Sequence, residues 1–221
     1  MANLPSMDTQ LAVASEAATA FVSDYYEALN RRQPLAQYYA SASKHLTAAS
    51  VKPDISINGR VVDSVADYEA MLDAQGANVS YEVHSFDAHP INATFTIGCP
   101  DNLSTTTDAP GRGKVNKSVR DGDRISFAIQ VSGTVRYGKP AARPAAGTTT
   151  TPAAKVPNAD DAAAKAKSSR APIEVPAVSD TPLEKAFTES WLLVPHWESL
   201  GRNAPRGLRK WLVVSQNFRA L

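Results

Sequence analysis

The sequence predicts an α+β domain of a cone-shaped kind, with three N-terminal helices packed on a strongly curved antiparallel sheet. Two observations lead there. Through the first part of the chain, apolar residues recur every three or four positions, the period of a helix with one buried face. From Val79 onward the period drops to two, the spacing of strands with one face turned inward. Helices first and strands afterwards define the α+β class.

Each element carries its own signal. From about Asp8 to Arg32, the residues Leu11, Ala14, Ala18, Phe21, Val22, Tyr25 and Leu29 mark one face of a long amphipathic helix. Pro34 suits the first turn of a short second helix over PLAQYYA. In DISINGRVV, Asn58-Gly59 is the preferred two-residue type I′ turn and predicts a hairpin. Ser64 caps a third helix, SVADYEAMLDAQ, which Gly76 stops in a left-handed conformation.

Val79, Tyr81 and Val83 then alternate with polar residues until the phase slips to Phe86 and Ala88, which predicts a β-bulge and a bent sheet. Ala93, Phe95, Ile97 and Cys99 read as a further strand. The clearest strand is ISFAIQVSGTVRY. Its odd positions from Ile125 to Tyr137 are apolar or Gly, and its even ones are Ser126, Ala128, Gln130, Ser132, Thr134 and Arg136. Two last strands, TESWLLV and RKWLVVSQNFR, are joined by a loop containing Pro and Gly.

At 221 residues the chain reads as a single domain over 1–221, with flexible insertions at about 100–124 and 139–182. The second insertion holds seven of the fifteen prolines and almost no large apolar residue before Ile173. Such a segment buries too little surface to offset its ordering entropy. A net charge of +1 gives no overall pull toward nucleic acid or membrane. The single Cys99 rules out an internal disulfide framework. MANLPSMDTQ lacks the regions of a secretory signal, and no apolar run approaches membrane-spanning length, so no membrane insertion is expected.

F-T-E-S-W-L-L at 187–193, S-Q-N-F-R at 215–219 and V-S-G-T-V-R-Y at 131–137 resemble the nuclear transport factor 2-like family. Within that family they are similar to the small subunits of the fungal messenger-RNA export receptor. The two long insertions depart from the classical transport factor and suit the fungal branch. The resemblance implies a non-catalytic binding module without a cofactor. It would pair sheet-to-sheet with the similar domain of a larger export receptor subunit as a heterodimer. That complex would engage phenylalanine–glycine repeats of nucleoporins, in the nucleus and at the nuclear pore, and shuttle to the cytoplasm with messenger RNA. The resemblance also puts Arg219, with Asn217 on its face, at the partner interface. A homodimeric nuclear transport carrier is the alternative of the same family.

The residues themselves offer a candidate surface. Strict alternation places Trp211, Val213, Ser215, Asn217 and Arg219 on one face of the last strand and Leu212, Val214 and Phe218 on the other. Three helices can cover one face of a sheet, so the other is open to a partner. Its expected members are Gln130, Ser132, Thr134, Arg136, Ser190, Leu192, Val194, Trp211, Val213, Ser215, Asn217 and Arg219. Apolar anchors beside Arg and hydrogen-bonding groups compose many stable interfaces, although Trp211 also fits a half-exposed strand aromatic.

Three other chemistries compete. The inward face of FTESWLLV carries Glu189 between Phe187 and Trp191, either as the acid or base of a cavity isomerase or dehydratase, or as a satisfied polar anchor. Asp24, Tyr25, Tyr81, His84 and Asp87 would be its catalytic companions. In the resembling family this position is usually an uncharged glutamine, which favours the anchor. Metal binding has little support, because His45, His84, His89, His196 and Cys99 lack compact ligand spacing. GRNAPRGLRK holds Arg202, Arg206, Arg209 and Lys210 with no acidic residue, so this basic loop is either a solvated hairpin or a contact for RNA or pre-ribosomal particles.

Overall fold

The computed structural model describes residues 4–76, 78–101, 103, 121–138, 183–201 and 204–221. Most of both expected insertions therefore lies outside the described residues. Among the described residues there are three α-helices, α1 (Met7–Asn30), α2 (Lys44–Ala48) and α3 (Val65–Ala74). Six strands, β1 (Asp54–Ile57), β2 (Arg60–Val62), β3 (Val79–Asn92), β4 (Ser126–Tyr137), β5 (Leu183–Pro195) and β6 (Trp211–Ala220), form one curved, unclosed sheet. Their order is β2-β1-β6-β5-β4-β3. All neighbours are antiparallel except β1 and β6, which run parallel.

Local chemistry sets the element ends. The Ser6 hydroxyl accepts the Thr9 amide proton at 3.1 Å to cap α1, and Ser64 caps α3 through the Asp67 amide. Asn58 and Gly59 take φ values of 52° and 84°, the left-handed pair that a type I′ turn demands. The expected helix over PLAQYYA is instead a 3₁₀ turn at Ala36–Tyr38 followed by another at Ala40–Ala42, and α2 follows them. Ala93–Cys99 is not a strand. The β3 ladder ends at Asn92, the segment turns, and Phe95 and Cys99 pack instead into a small apolar cluster.

The main core lies between α1, α3 and one face of the sheet. Ala14, Ala18, Phe21, Val22, Tyr25 and Leu29 of α1 are buried there against Ile129, Val131, Phe187, Trp191 and Phe218. Trp191 is the hub: its ring centroid lies 5.2 Å from those of Phe21 and Tyr25 and 5.7 Å from that of Tyr26. Asn30 fixes the far end of α1. Its side-chain amide donates to the Tyr81 carbonyl at 2.9 Å, and its oxygen accepts the Tyr81 amide proton at 2.7 Å.

Of the three register shifts in the sheet, two bear on which side chains share a face, and the third lies between Pro90 and Asn92 at the end of β3. The ladder between β3 and β4 shifts between Val83 and Ser85, so His84 is the extra residue, as the phase slip predicts. A second shift pairs Leu192 with Ser215 but Leu193 with Val213, leaving Val214 extra in β6. That bulge, which the sequence reading missed, reverses the facing of everything in β6 before it.

Gly133 shows how tightly the covered face is built. A Cβ there would sit 2.1 Å from the Glu82 carbonyl oxygen and 2.7 Å from the Phe187 ring. Only a glycine lets the Phe187 ring lie across β4 while β3 keeps its pairing. Gly133→Val is expected to cost about 2–4 kcal/mol of unfolding free energy, by overpacking. Urea denaturation of the variant checks this, and wild-type stability would contradict the packing described.

Candidate functional site

Register decides which side chains share the uncovered face. Paired residues point the same way. Arg219 pairs with Thr188, which pairs with Ser132, which pairs with Ser85. The next row runs Asn217, Ser190, Gln130 and Asp87. Gln130, Ser190, Asn217 and Arg219 are exposed, Ser132, Thr134, Leu192 and Ser215 are half-buried, and none belongs to the main core. The structure thus brings nine of the expected residues, these eight and Arg136, onto one continuous face across β4, β5 and β6.

Trp211, Val213 and Val194 are corrections. Because of the extra Val214, Trp211 and Val213 point toward the helices. Val213 is fully buried, and Trp211 packs edge-on to Phe127 at 5.7 Å while its indole N–H donates to the Ile125 carbonyl at 3.3 Å. Val194 keeps its expected face but is 1% exposed. It is covered by a second cluster with Ala40, Leu46, Trp197 and Leu212. Three expected apolar anchors are therefore already used inside the chain. Strict alternation concealed this because β6 has apolar residues on both sides of the bulge.

Ionic groups frame what remains open. The Arg136 guanidinium lies 2.8 Å from Glu184 and 3.2 Å from Glu82, so its charge is balanced within the chain. Arg219 donates through Nε to the Asn217 side-chain oxygen at 3.2 Å and reaches over the β1–β2 turn, where a Cβ on Gly59 would stand 3.1 Å from Nη1. Among the described residues, no carboxylate lies within ion-pair distance of Arg219.

Glu189 sits beneath this surface and is 2% exposed. Tyr26 donates its hydroxyl proton to one carboxylate oxygen at 2.6 Å, and the Gln216 amide donates to the other at 2.6 Å. Gln216 also donates to the Tyr25 hydroxyl at 3.1 Å and accepts from Tyr39 at 2.5 Å. The network joins α1 and the 3₁₀ turns to the two central strands. Burial pushes the Glu189 carboxyl up to about 7, against the downward pull of the Tyr26 and Gln216 hydrogen bonds.

Of the expected catalytic companions Tyr25 joins this network through Gln216, but the acid and base candidates do not converge on Glu189. His84 bonds Thr134 at 3.1 Å on the opposite face, Asp87 pairs with His89 at 3.1 Å in solvent, and Asp24 holds Arg209. Glu189 lines neither the groove of about 570 Å³ beside α1 nor the cleft of about 190 Å³ beside α3. No group of three metal-ligating side chains occurs among the described residues.

In the basic loop, Arg202 lies outside the described residues. Arg209 is occupied: its guanidinium carbon lies 3.6 Å from the Tyr38 ring centre and one nitrogen 2.9 Å from Asp24. Arg206 and Lys210 are exposed.

The helices, the curved sheet and the open face define a nuclear transport factor 2-like fold. No protein-family model and no curated protein sequence matches the chain. Among solved structures, the chain is similar to Mtr2. The match in the complex of a Sac3N peptide with Mex67:Mtr2 has a TM-score of 0.66 at 27% identity, covering 94% of this chain and 99% of that one. The Mex67 NTF2-like domain complexed with Mtr2 from Chaetomium thermophilum gives 0.65 at 27% identity, with 94% and 98% covered. A structure of Mtr2 gives 0.64 at 25%, with 94% and 99% covered.

The buried carboxyl makes a measurable signature. Glu189 is protonated in the folded chain up to about pH 7 but ionises near its ordinary 4.5 once unfolded. The unfolded state therefore binds fewer protons in that window, and stability falls as pH rises through it and levels off above. Glu189→Gln should remove a decline on the order of 2–3 kcal/mol between pH 4.5 and 7. Denaturant melts across that range test it, and an unchanged slope in the variant would contradict the assignment.

Proposed function

We propose that the chain is the non-catalytic small subunit of a heterodimeric receptor that exports messenger RNA from the nucleus. The observation that carries this reading is its likeness to Mtr2 over nearly the whole chain, in structures where Mtr2 is complexed with Mex67. Mtr2-like chains bind a larger subunit, and this chain offers an uncovered face suited to one. The face formed by β4, β5 and β6 pairs with the similar domain of the larger subunit and completes its transport module.

The heterodimer then engages phenylalanine–glycine repeats of nucleoporins. Several weak contacts acting together raise avidity while each one releases quickly. Such a protein works in the nucleus and at the pore and shuttles to the cytoplasm. Arg206 and Lys210 are the described basic groups left to contact RNA or pre-ribosomal particles. The satisfied, enclosed Glu189 supports a scaffold role over a cavity enzyme.

Arg219→Glu tests the pairing, because it reverses a cation of this face that has no carboxylate within ion-pair distance among the described residues. The variant should bind the larger subunit at least about tenfold more weakly, a change of about 1.4 kcal/mol. Its melting temperature should stay near wild type, since Arg219 is exposed. Co-purification and titration measure the effect, and unchanged affinity would count against this face.

A further inference from the structure

We propose that the groove beside α1 is a docking site for a basic peptide segment of a second protein, one that sets an aromatic or long aliphatic side chain between lysines or arginines. The inference goes beyond the export reading and does not depend on it. The groove lies on the side of the sheet that α1 covers, away from the open face.

Three pieces of chain build the groove, whose volume of about 570 Å³ is within the range that ligand sites occupy. Ala17, Ala20 and Phe21 of α1 contribute one part, and Leu208 and Trp211 at the entry to β6 another. The two alanines are short, so α1 leaves space beside the aromatic rings. The third piece is residues 121–123, which Gly122 seats on the helix. Its φ is +81°, and a Cβ there would stand 3.1 Å from Val13 Cγ2.

Charge identifies the occupant. Four carboxylates line the groove, Glu16, Asp24, Asp121 and Asp123, against two cations, Arg209 and Lys210. Arg209 is already engaged by Asp24 at 2.9 Å and by the Tyr38 ring. Glu16, Asp121 and Asp123 form no ion pair among the described residues. Burial pushes the Asp123 carboxyl up, Lys210 pulls against this, and Asp121 adds to the rise. The lining is thus negative in a chain whose net charge is +1.

The phosphates of nucleic acid or lipid are repelled by such a lining. A wholly apolar segment would strip water from the carboxylates and return no partner, which is unfavourable. A wholly basic one would leave the apolar wall unused. A segment with both satisfies wall and rim, and its lysine and arginine stems cover further apolar surface while their heads reach the carboxylates. Residues 111–120 of this chain, with Arg112, Lys114, Lys117 and Arg120 just before Asp121, are the other source of basic groups.

The probe is the fluorescent peptide GSKRFKRSG, titrated by anisotropy against the full chain and its variants, with thermal melts to confirm folding. The wild type should bind it. Glu16→Gln/Asp121→Asn should weaken binding at least about fivefold, and Ala20→Trp, which fills the groove, at least about tenfold. Glycine in place of the probe's phenylalanine should also lose about fivefold or more, and Ser190→Ala on the open face should change nothing. A wild type that does not bind, or carboxylate and filling variants that bind as well as the wild type, would overturn the proposal. Arg112→Ser/Lys114→Ser/Lys117→Ser/Arg120→Ser should stay within about threefold of wild type. A gain of about tenfold or more in that variant would assign the groove to the chain's own segment and overturn the proposal as well. None of these readouts uses the larger subunit, so they leave the export reading to its own test.

Discussion

A six-stranded sheet has two faces; α1 and α3 cover one, while α2 and the segment around Trp197 cover one end of the other and leave the rest open. That constraint organises the molecule. The covered face takes nearly all the large side chains: Phe127, Ile129, Val131, Phe187, Trp191, Leu193 and Phe218 meet Phe21, Val22, Tyr25, Tyr26 and Leu29 of α1. The remaining face is left with hydroxyls, amides, alanines and a few charges. Antiparallel sheets tolerate one solvated face, and here that face leaves a broad surface open to a second protein.

Glu189 shows how the covered face is held in position. A carboxyl in an aromatic core is costly unless its oxygens are satisfied. Here Tyr26 from α1 and Gln216 from β6 do so, and Tyr25 and Tyr39 extend the network. The result is a polar rivet between helix and sheet directly beneath Ser190 and Asn217. It ties α1 and Tyr39 to β5 and β6, two of the strands that carry the open face. The same burial that raises its pKa also denies a substrate access to it.

Much of this was legible in the sequence because its signals were local or periodic. The Asn58-Gly59 turn, the Ser64 cap, the alternation of β4 and the α1 stripe from Ala14 to Leu29 each rest on neighbouring residues and hold, whereas Leu11, expected on that stripe, is 47% exposed. The β6 facing was not legible. A bulge at Val214 shifts the phase by one, yet Trp211, Leu212, Val213 and Val214 are apolar on either reading, so the pattern carries no trace of the shift. Ala93–Cys99 misled for a related reason. Its alternation is real but serves a turn whose Phe95 and Cys99 enter the second cluster beside Trp197. Nothing short of long-range contacts could reveal that cluster. Arg209 likewise looked like a free base in a basic loop, and its ties to Asp24 and Tyr38 come from α1 and the first 3₁₀ turn.

The central claim is that a second protein covers the open face rather than the helical side. Cysteine protection tests it most directly. Ser190→Cys lies at the centre of the open face, and Ala12→Cys lies on the exposed side of α1. Alkylation rates of both, measured by mass spectrometry with and without the larger subunit, report which is buried. The account predicts that binding slows alkylation at position 190 and leaves position 12 unchanged. Protection at position 12 with position 190 still reactive would contradict it.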